Sequence, residues 1–201
     1  MKPMTQSSGS PAPKNAPESL AGVMLIAAPA MEDPRFSHSV VYVCEHSAKG
    51  AMGLIVNKPS REVGLEDLLG QLKIEPTAAA EKIAVHFGGP VEMGRGFVLH
   101  SDDFETPGAT HKLQDGLALT ATVEILRAIA RGDGPRRAIL ALGYAGWSAG
   151  QLEGELQRNG WLSCPGDPDL VLGDADDAKW AAALGKIGVD PAVLSAVGGS
   201  A

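Results

Sequence analysis

Histidine runs out at His111 in this chain of 201 residues, and cysteine occurs only twice, at Cys44 and Cys164. Two cysteines are too few for a disulfide framework or a zinc site built on cysteine pairs. Cys44 and His46 alternate along a candidate strand, which predicts that they share a face. Two ligands do not make a metal centre, so the sequence supplies no metal site. Basic residues are also in deficit: 17 Lys and Arg stand against 24 Asp and Glu, a formal charge of −7. That balance disfavours nucleic-acid binding, which rests on neutralising phosphates, and adhesion to an anionic membrane. Arg127 and Arg131 share a helix face and Arg136 and Arg137 follow, a cluster that reads as a solvated surface.

No apolar run approaches the ~18 residues of a membrane span. Leu20–Ala28, followed by Ala28-Pro29-Ala30, imitates a signal peptide with its cleavage site. The preceding region is long, rich in Pro and Ser, and carries Glu18 just before the run, with no basic flank. The stretch reads better as a first strand, and the expected location is the cytoplasm. Residues 1–19 are predicted to be a disordered tail, because they lack the apolar content to offset ordering entropy. The remainder, about 180 residues, suits a single domain, and 44% hydrophobic residues suffice for its core.

Ala138–Gln151, AILALGYAGWSAGQ, carries the strongest candidate chemistry. It reads as a buried strand, a glycine-rich turn and a helix start. Gly146-Trp147-Ser148-Ala149-Gly150 matches the G-x-S-x-G nucleophile elbow. That fold places its histidine after the serine, and none follows Ser148 here. Another fold could bring His38, His46, His86, His100 or His111 to it, since a triad is defined by geometry. Gly143, Gly146 and Gly150 also sit where a dinucleotide's pyrophosphate would meet backbone amides, with Asp167 downstream. Their spacing is not G-x-G-x-x-G, and too little chain follows for a second nucleotide-binding half. A simpler reading makes Ser148 the N-cap, with Gln151 completing a capping box. No catalytic residue and no cofactor is assigned.

Elsewhere, strands are expected at Val23–Ala28, Ser39–Cys44 and Ala51–Val56, the last two joined by a hairpin over Glu45–Gly50. Leu65–Leu72 carries Leu65, Leu68, Leu69 and Leu72 on one helical face. Further strands fit Ile83–Phe87, Gly96–His100, His111–Leu113 and Leu117–Thr120. A helix fits Val123–Arg131, ended by Gly132. A helix at about 150–158 precedes short strands at Trp161–Cys164 and Leu170–Leu172. Asp177–Ile187 reads as a helix with Trp180, Leu184 and Ile187 inward, and Asp190-Pro191 opens a last short helix. Strands concentrate in the first half and helices in the second, which argues for an α+β fold.

Several long segments resemble the YqgE/AlgH family of bacterial proteins, over about residues 20–197. They are LIAAPAMEDPRF at Leu25–Phe36, SVVYVCEHSAKGAMGLIVNKP at Ser39–Pro59 and FGGPVEMGRGFVLHS at Phe87–Ser101. GPRRAILALGYAGWSAGQL at Gly134–Leu152 and NGWL at Asn159–Leu162 complete the set. The resemblance implies a mixed, strongly curled sheet forming a partial barrel with flanking helices, in a cytoplasmic bacterial protein. It implies no reaction; members are usually described as uncharacterised or are named as transcriptional regulators without an established activity. The family pattern at the glycine-rich segment is close to GYxxWxxGQLE, where serine is not required at the position of Ser148.

The leading expectation is therefore a non-enzymatic binding protein with an indirect regulatory role. Its ligand or partner surface is assigned to three loops: Asn57-Lys58-Pro59, Gly88-Gly89-Pro90 and Gly143–Gln151. The residues proposed are Asn57, Lys58, Gly88, Gly89, Gly143, Gly146, Trp147, Ser148 and Gln151. Loops of this composition at strand ends are where sites concentrate. The partner would be a protein or a small anion at the helix start, with Lys58 as counter-charge. A direct DNA-binding regulator and an enzyme using Gly143–Gln151 are the alternatives. Against the first, Ala149–Arg158 sets Glu153 and Glu155 against one arginine, which is no basic recognition helix.

Overall fold

A computed structural model of the chain describes residues 19–78 and 83–192. The elements in chain order are β1 (Val23–Ala27), β2 (Val40–Ser47), β3 (Gly50–Ile55), α1 (Leu65–Gln71), β4 (Val85–Phe87), β5 (Val91–Ser101), β6 (Thr110–Lys112) and β7 (Leu117–Thr120). They continue as α2 (Val123–Arg131), β8 (Ala138–Ser148), α3 (Gln151–Gln157), β9 (Trp161–Pro165), α4 (Pro168–Val171) and α5 (Asp176–Lys186). One mixed sheet runs β6-β7-β5-β8-β3-β2-β1-β9, with β4 parallel to β8 and the other pairs antiparallel. The sheet curls into a half-barrel with five flanking helices, an α+β fold. Its two ends approach each other through the β6–β7 turn. Gln114 fills the space beside Gly22, Asp115 lies against Gly166, and the Tyr42 hydroxyl reaches the Gln114 carbonyl at 3.5 Å.

Alternation along the strands sorts side chains into an inner and an outer set. Met24, Ile26, Val40, Tyr42, Leu54, Phe97, Leu99 and Leu117 fill the inside, and α4 and α5 add Val171, Leu172, Ala183 and Leu184. These two helices close the end of the half-barrel where β1 and β3 finish. Trp180 Nε1 donates to the Ala27 carbonyl at 2.9 Å and Lys179 Nζ to the Val56 carbonyl at 2.8 Å. On the outside, Val41, Val43, Leu25, Trp147 and Trp161 pack under α3 through Leu152. Val98, Leu140 and Val85 pack under α1 and α2 through Leu69, Ile125 and Ile129.

α2 matches its expected span, and Gly132 ends it in the left-handed conformation at φ 83°. Other expectations need correction. β8 does not stop at Leu142; it runs eleven residues through Ser148. The glycine-rich turn expected over Gly143–Gly146 is strand, because residues 145–148 pair with β3. β5 likewise begins at Val91, well before Gly96. Leu170–Leu172 is no strand: Asp167 caps α4 by accepting from the Asp169 and Leu170 amides, with Pro168 at the first helical position. The ribose partner that Asp167 offered is thus a helix cap, ion-paired with Lys186. The predicted 1–19 tail lies outside the described residues except for Ser19, and the last helix lies outside them beyond residue 192.

Candidate functional site

Of the sequence-assigned residues, the structure brings Gly88, Gly89 and Gly143 together. β4 pairs with one edge of β8 and β5 with the other, so Gly88–Pro90 must cross the β8 backbone. A Cβ on Gly88 would stand 2.3 Å from the Gly143 carbonyl oxygen, one on Gly143 2.3 Å from that of Gly89, and one on Gly89 2.1 Å from the Tyr144 carbonyl carbon. Only glycine permits this backbone-on-backbone contact. Asn57 and Lys58 lie beside β4, where the Phe87 amide donates to the Lys58 carbonyl. Asn57 Oδ1 accepts from the Val40 amide and its Nδ2 donates to the His38 carbonyl. Lys58 Nζ donates to the Arg35 carbonyl at 2.8 Å. These side chains hold the β1–β2 connection.

Ser148 is not the N-cap. Gly150 holds that position in the left-handed conformation, without a side-chain cap. Gln151 Oε1 accepts both the Ser148 amide, at 3.0 Å, and the Ser148 hydroxyl, at 3.2 Å. The amide at this corner is thus occupied, and no histidine bonds the serine among the described residues. Trp147 and Gln151 belong to a separate device. Trp147 Nε1 and Trp161 Nε1 both donate to Glu155 Oε2, at 2.9 and 2.8 Å, while Gln151 Nε2 donates to Oε1 at 2.9 Å. The two indole rings meet edge to face at 6.1 Å. This knot fixes α3 on the outer face.

Cys44 and His46 also part company. The pairing slips between Val43 and Glu45, a bulge that reverses the alternation. Cys44 joins the inner core, whereas His46 turns outward to Glu153 of α3 at 2.9 Å and accepts the Leu20 amide on Nδ1 at 3.0 Å. Burial, with Glu45 beside it, pushes the Cys44 thiol well above its ordinary range, so it is a poor nucleophile. The arginine cluster is largely neutralised in place: Arg131 pairs with Asp133, Arg136 with Asp103 and Arg137 with Asp169.

A second buried polar cluster pins α5. His86 Nε2 lies 3.0 Å from Asp176 Oδ2, and Lys179 Nζ lies 2.8 Å from Asp176 Oδ1. Lys179 and His86 are almost wholly buried. Lys179 also donates to the Val56 and Val171 carbonyls. Burial alone would raise the Asp176 carboxyl, but the bonds from His86 and Lys179 outweigh it and hold the group below its ordinary range.

A cleft of about 1220 Å³ opens at the end of the half-barrel opposite α5. Its floor is the exposed limit of the inner core: Cys44, Met52, Phe97, Leu119 and Tyr144. Glu45 and Lys49 from the β2–β3 hairpin stand at one side. Arg95 from β5 and His111 from β6 stand at the other. Between Val91, paired with Tyr144, and Gly96, paired with Leu142, residues 92–95 of β5 face the single residue Gly143. This bulge forms a lip with Met93 60% exposed at its tip. Arg95 lies over the Phe97 ring at 4.9 Å and is loosely paired with Glu92 at 3.4 Å. Glu45, Lys49, His111 and Tyr144 make no side-chain hydrogen bond or ion pair among the described residues. Of the sequence-assigned residues, only Gly146 and Trp147 line this cleft.

A half-barrel plugged by helices at one end and open at the other defines an α+β protein with a curled sheet and a concave mouth. The AlgH-like family model matches residues 24–192, and the chain belongs to that family. A UPF0301 protein of Methylobacterium nodulans is 54% identical over 95% of this chain and 94% of its own length. One from Rhodopseudomonas palustris is 56% identical over 90% of this chain and 89% of its own length. The solution structure of AlgH from Pseudomonas aeruginosa matches with a TM-score of 0.75 at 41% identity, covering 94% of this chain and all of that one. The crystal structure of DIP2367 from Corynebacterium diphtheriae shares the fold, with a TM-score of 0.66 at 22% identity over 85% of this chain and 87% of that one.

Proposed function

We propose that this protein is a non-enzymatic binding protein that works in the cytoplasm and regulates gene expression indirectly. It does so by holding a small ligand or a partner's segment in the mouth of the half-barrel. The observation that carries this reading is the convergence of uncommitted polar groups over an apolar floor. Sites for small ligands combine this kind of lining with a few free polar groups, and barrel mouths are a recurrent place for them. The cleft volume exceeds the range usual for drug-sized ligands. The loops assigned from the sequence are mostly committed to holding backbone together. The mouth, with Gly146 and Trp147 at its edge, offers the freer binding surface.

Amide resonances followed during titration with a small-molecule and peptide set test this reading. Shifts should concentrate in residues 44–52, 91–97, 109–111 and 144–147. Saturable shifts confined to residues 57–58, 88–89 or 149–153 would move the site away from the mouth.

A further inference from the structure

We propose that the mouth takes a short peptide with free termini and apolar side chains, its ammonium end at Glu45 and its carboxylate end at Arg95 and His111. This rests on the mouth being the binding site. The argument starts from the bulge at Cys44. Glu45 pairs in register with Met52, whose side chain packs on the inner core, so the Glu45 carboxylate also points inward. An alternating strand with Cys44 inside would have placed Glu45 outside. The bulge sets a carboxylate with no partner against the apolar floor.

On the facing wall, His111 pairs with Leu119, another inner-core residue, and so points inward too. Arg95 joins it from the β5 bulge, its guanidinium spread on Phe97. Each wall also carries one charge of the opposite sign. Glu92 takes up part of Arg95 at 3.4 Å. Lys49 sits at the hairpin tip, where Ser47 and Gly50 form the last pair. Glu45 lies two residues further down β2, about 7 Å deeper. Over the floor a carboxylate on one side therefore meets the Arg95 guanidinium and the His111 imidazole on the other.

Charge and floor together select the ligand. β2 and β5 are separated by β3 and β8, so three inter-strand steps set their backbones at most about 14 Å apart along the sheet. A single amino acid offers the floor one side chain only. A simple amphiphilic anion leaves Glu45 unpaired. An extended chain of three or four residues spans roughly 10–14 Å. Its side chains fall on Met52, Phe97, Leu119 and Tyr144.

The test uses the full chain and the tripeptide Leu-Leu-Leu with free termini, against its N-acetylated, C-amidated and doubly blocked forms. Affinity is read by calorimetry and location by amide shifts. Each block should weaken binding at least fivefold. Glu45→Gln should erase the difference between free and N-acetylated peptide, and Arg95→Gln should shrink the difference between free and amidated peptide. Both side chains are exposed, so neither variant should impair folding. If the doubly blocked peptide moves the mouth residues as strongly as the free one, the charge assignment fails and the mouth reading stands. If Glu45→Gln leaves discrimination at the amino end intact, the assignment also fails. If no form moves the mouth residues, and 8-anilinonaphthalene-1-sulfonate does not either, both readings fall.

Discussion

Removing the Glu155 carboxylate should destabilise this domain by several times the cost of an ordinary surface change. Its Oε2 accepts two indole N–H groups, from Trp147 and Trp161, and both tryptophans are buried at 7% and 3% exposure. Glu155→Ala leaves two buried donors without a partner. Each unsatisfied donor costs about 1–3 kcal/mol, so the expected loss is about 2–6 kcal/mol. At ~2–4 °C per kcal/mol for a domain of this size, the thermal midpoint should fall by roughly 4–24 °C. Glu155→Gln keeps one acceptor oxygen for the indoles and should cost under about 1.5 kcal/mol. The decisive measurement is a mutant cycle by chemical denaturation in a Trp147→Phe, Trp161→Phe background, which has no indole donors. There Glu155→Ala should cost less than about 1 kcal/mol, since only the exposed Gln151 bond is lost, and the coupling should exceed about 1 kcal/mol. Equal costs in both backgrounds would show that Glu155 acts by packing or helix propensity, and the knot argument would be wrong.

Asp176→Asn leaves Lys179 buried without its counter-charge and should cost about 3–5 kcal/mol at neutral pH. The folded-state carboxyl is depressed, so its stabilisation is present above the ordinary carboxylate range and is lost as pH falls through the folded value. Denaturation midpoints of the parent should therefore drop in acid more steeply than those of the variant; parallel pH profiles would remove Asp176 from the linkage. Gly89→Ala, which sets a Cβ against the Tyr144 carbonyl carbon, should cost more than about 4 kcal/mol and deplete soluble protein. Gly150→Ala has open space at φ 72° and should cost only about 1 kcal/mol. Similar losses at the two glycines would contradict the crossing argument. Ser148 should resist fluorophosphonate labelling, and Ser148→Ala should cost under about 0.5 kcal/mol because the residue is exposed and caps nothing. Stoichiometric labelling would reinstate the nucleophile. Fluorescence anisotropy at physiological salt should detect no duplex DNA binding, since most of the arginine cluster is already ion-paired.

Where local chemistry decides the structure, the sequence was readable. The apolar face of Val123–Arg131 and the stop at Gly132 specify α2 without reference to the rest of the chain. The β2–β3 hairpin likewise follows from two apolar runs and a polar tip. Where a long-range pairing decides, it was not. Gly143, Gly146 and Gly150 look like a turn because glycine usually marks one. Gly143 and Gly146 serve in β8 as a crossing and a strand position facing Met52, and Gly150 beyond it is the α3 cap. No local pattern separates these roles, because the crossing exists only once β4 and β5 flank the same strand. The short α4 shows the same limit in miniature, since Leu170–Leu172 is apolar in either conformation and the Asp167-Pro168 start decides for helix.

The mouth was invisible for a different reason. Its groups come from β2, the β2–β3 hairpin, β5, β6 and β8, far apart in the chain, and each alone is an ordinary surface residue. Glu45 is the clearest instance. Strict alternation assigns Cys44 and His46 to one face and Glu45 to the other, so Glu45 reads as a solvated outer charge. A one-residue slip in pairing inverts that result. It frees His46 to tie Leu20 and α3 to the outer face, and it turns a carboxylate toward the apolar floor. The slip costs ladder bonds, which stability alone does not favour. A bulge in β2 and a second one in β5 flank the same cleft, and each re-aims a charged side chain at it. Two such departures on facing walls set opposite charges over one apolar floor, which is what the proposed binding at the open end requires.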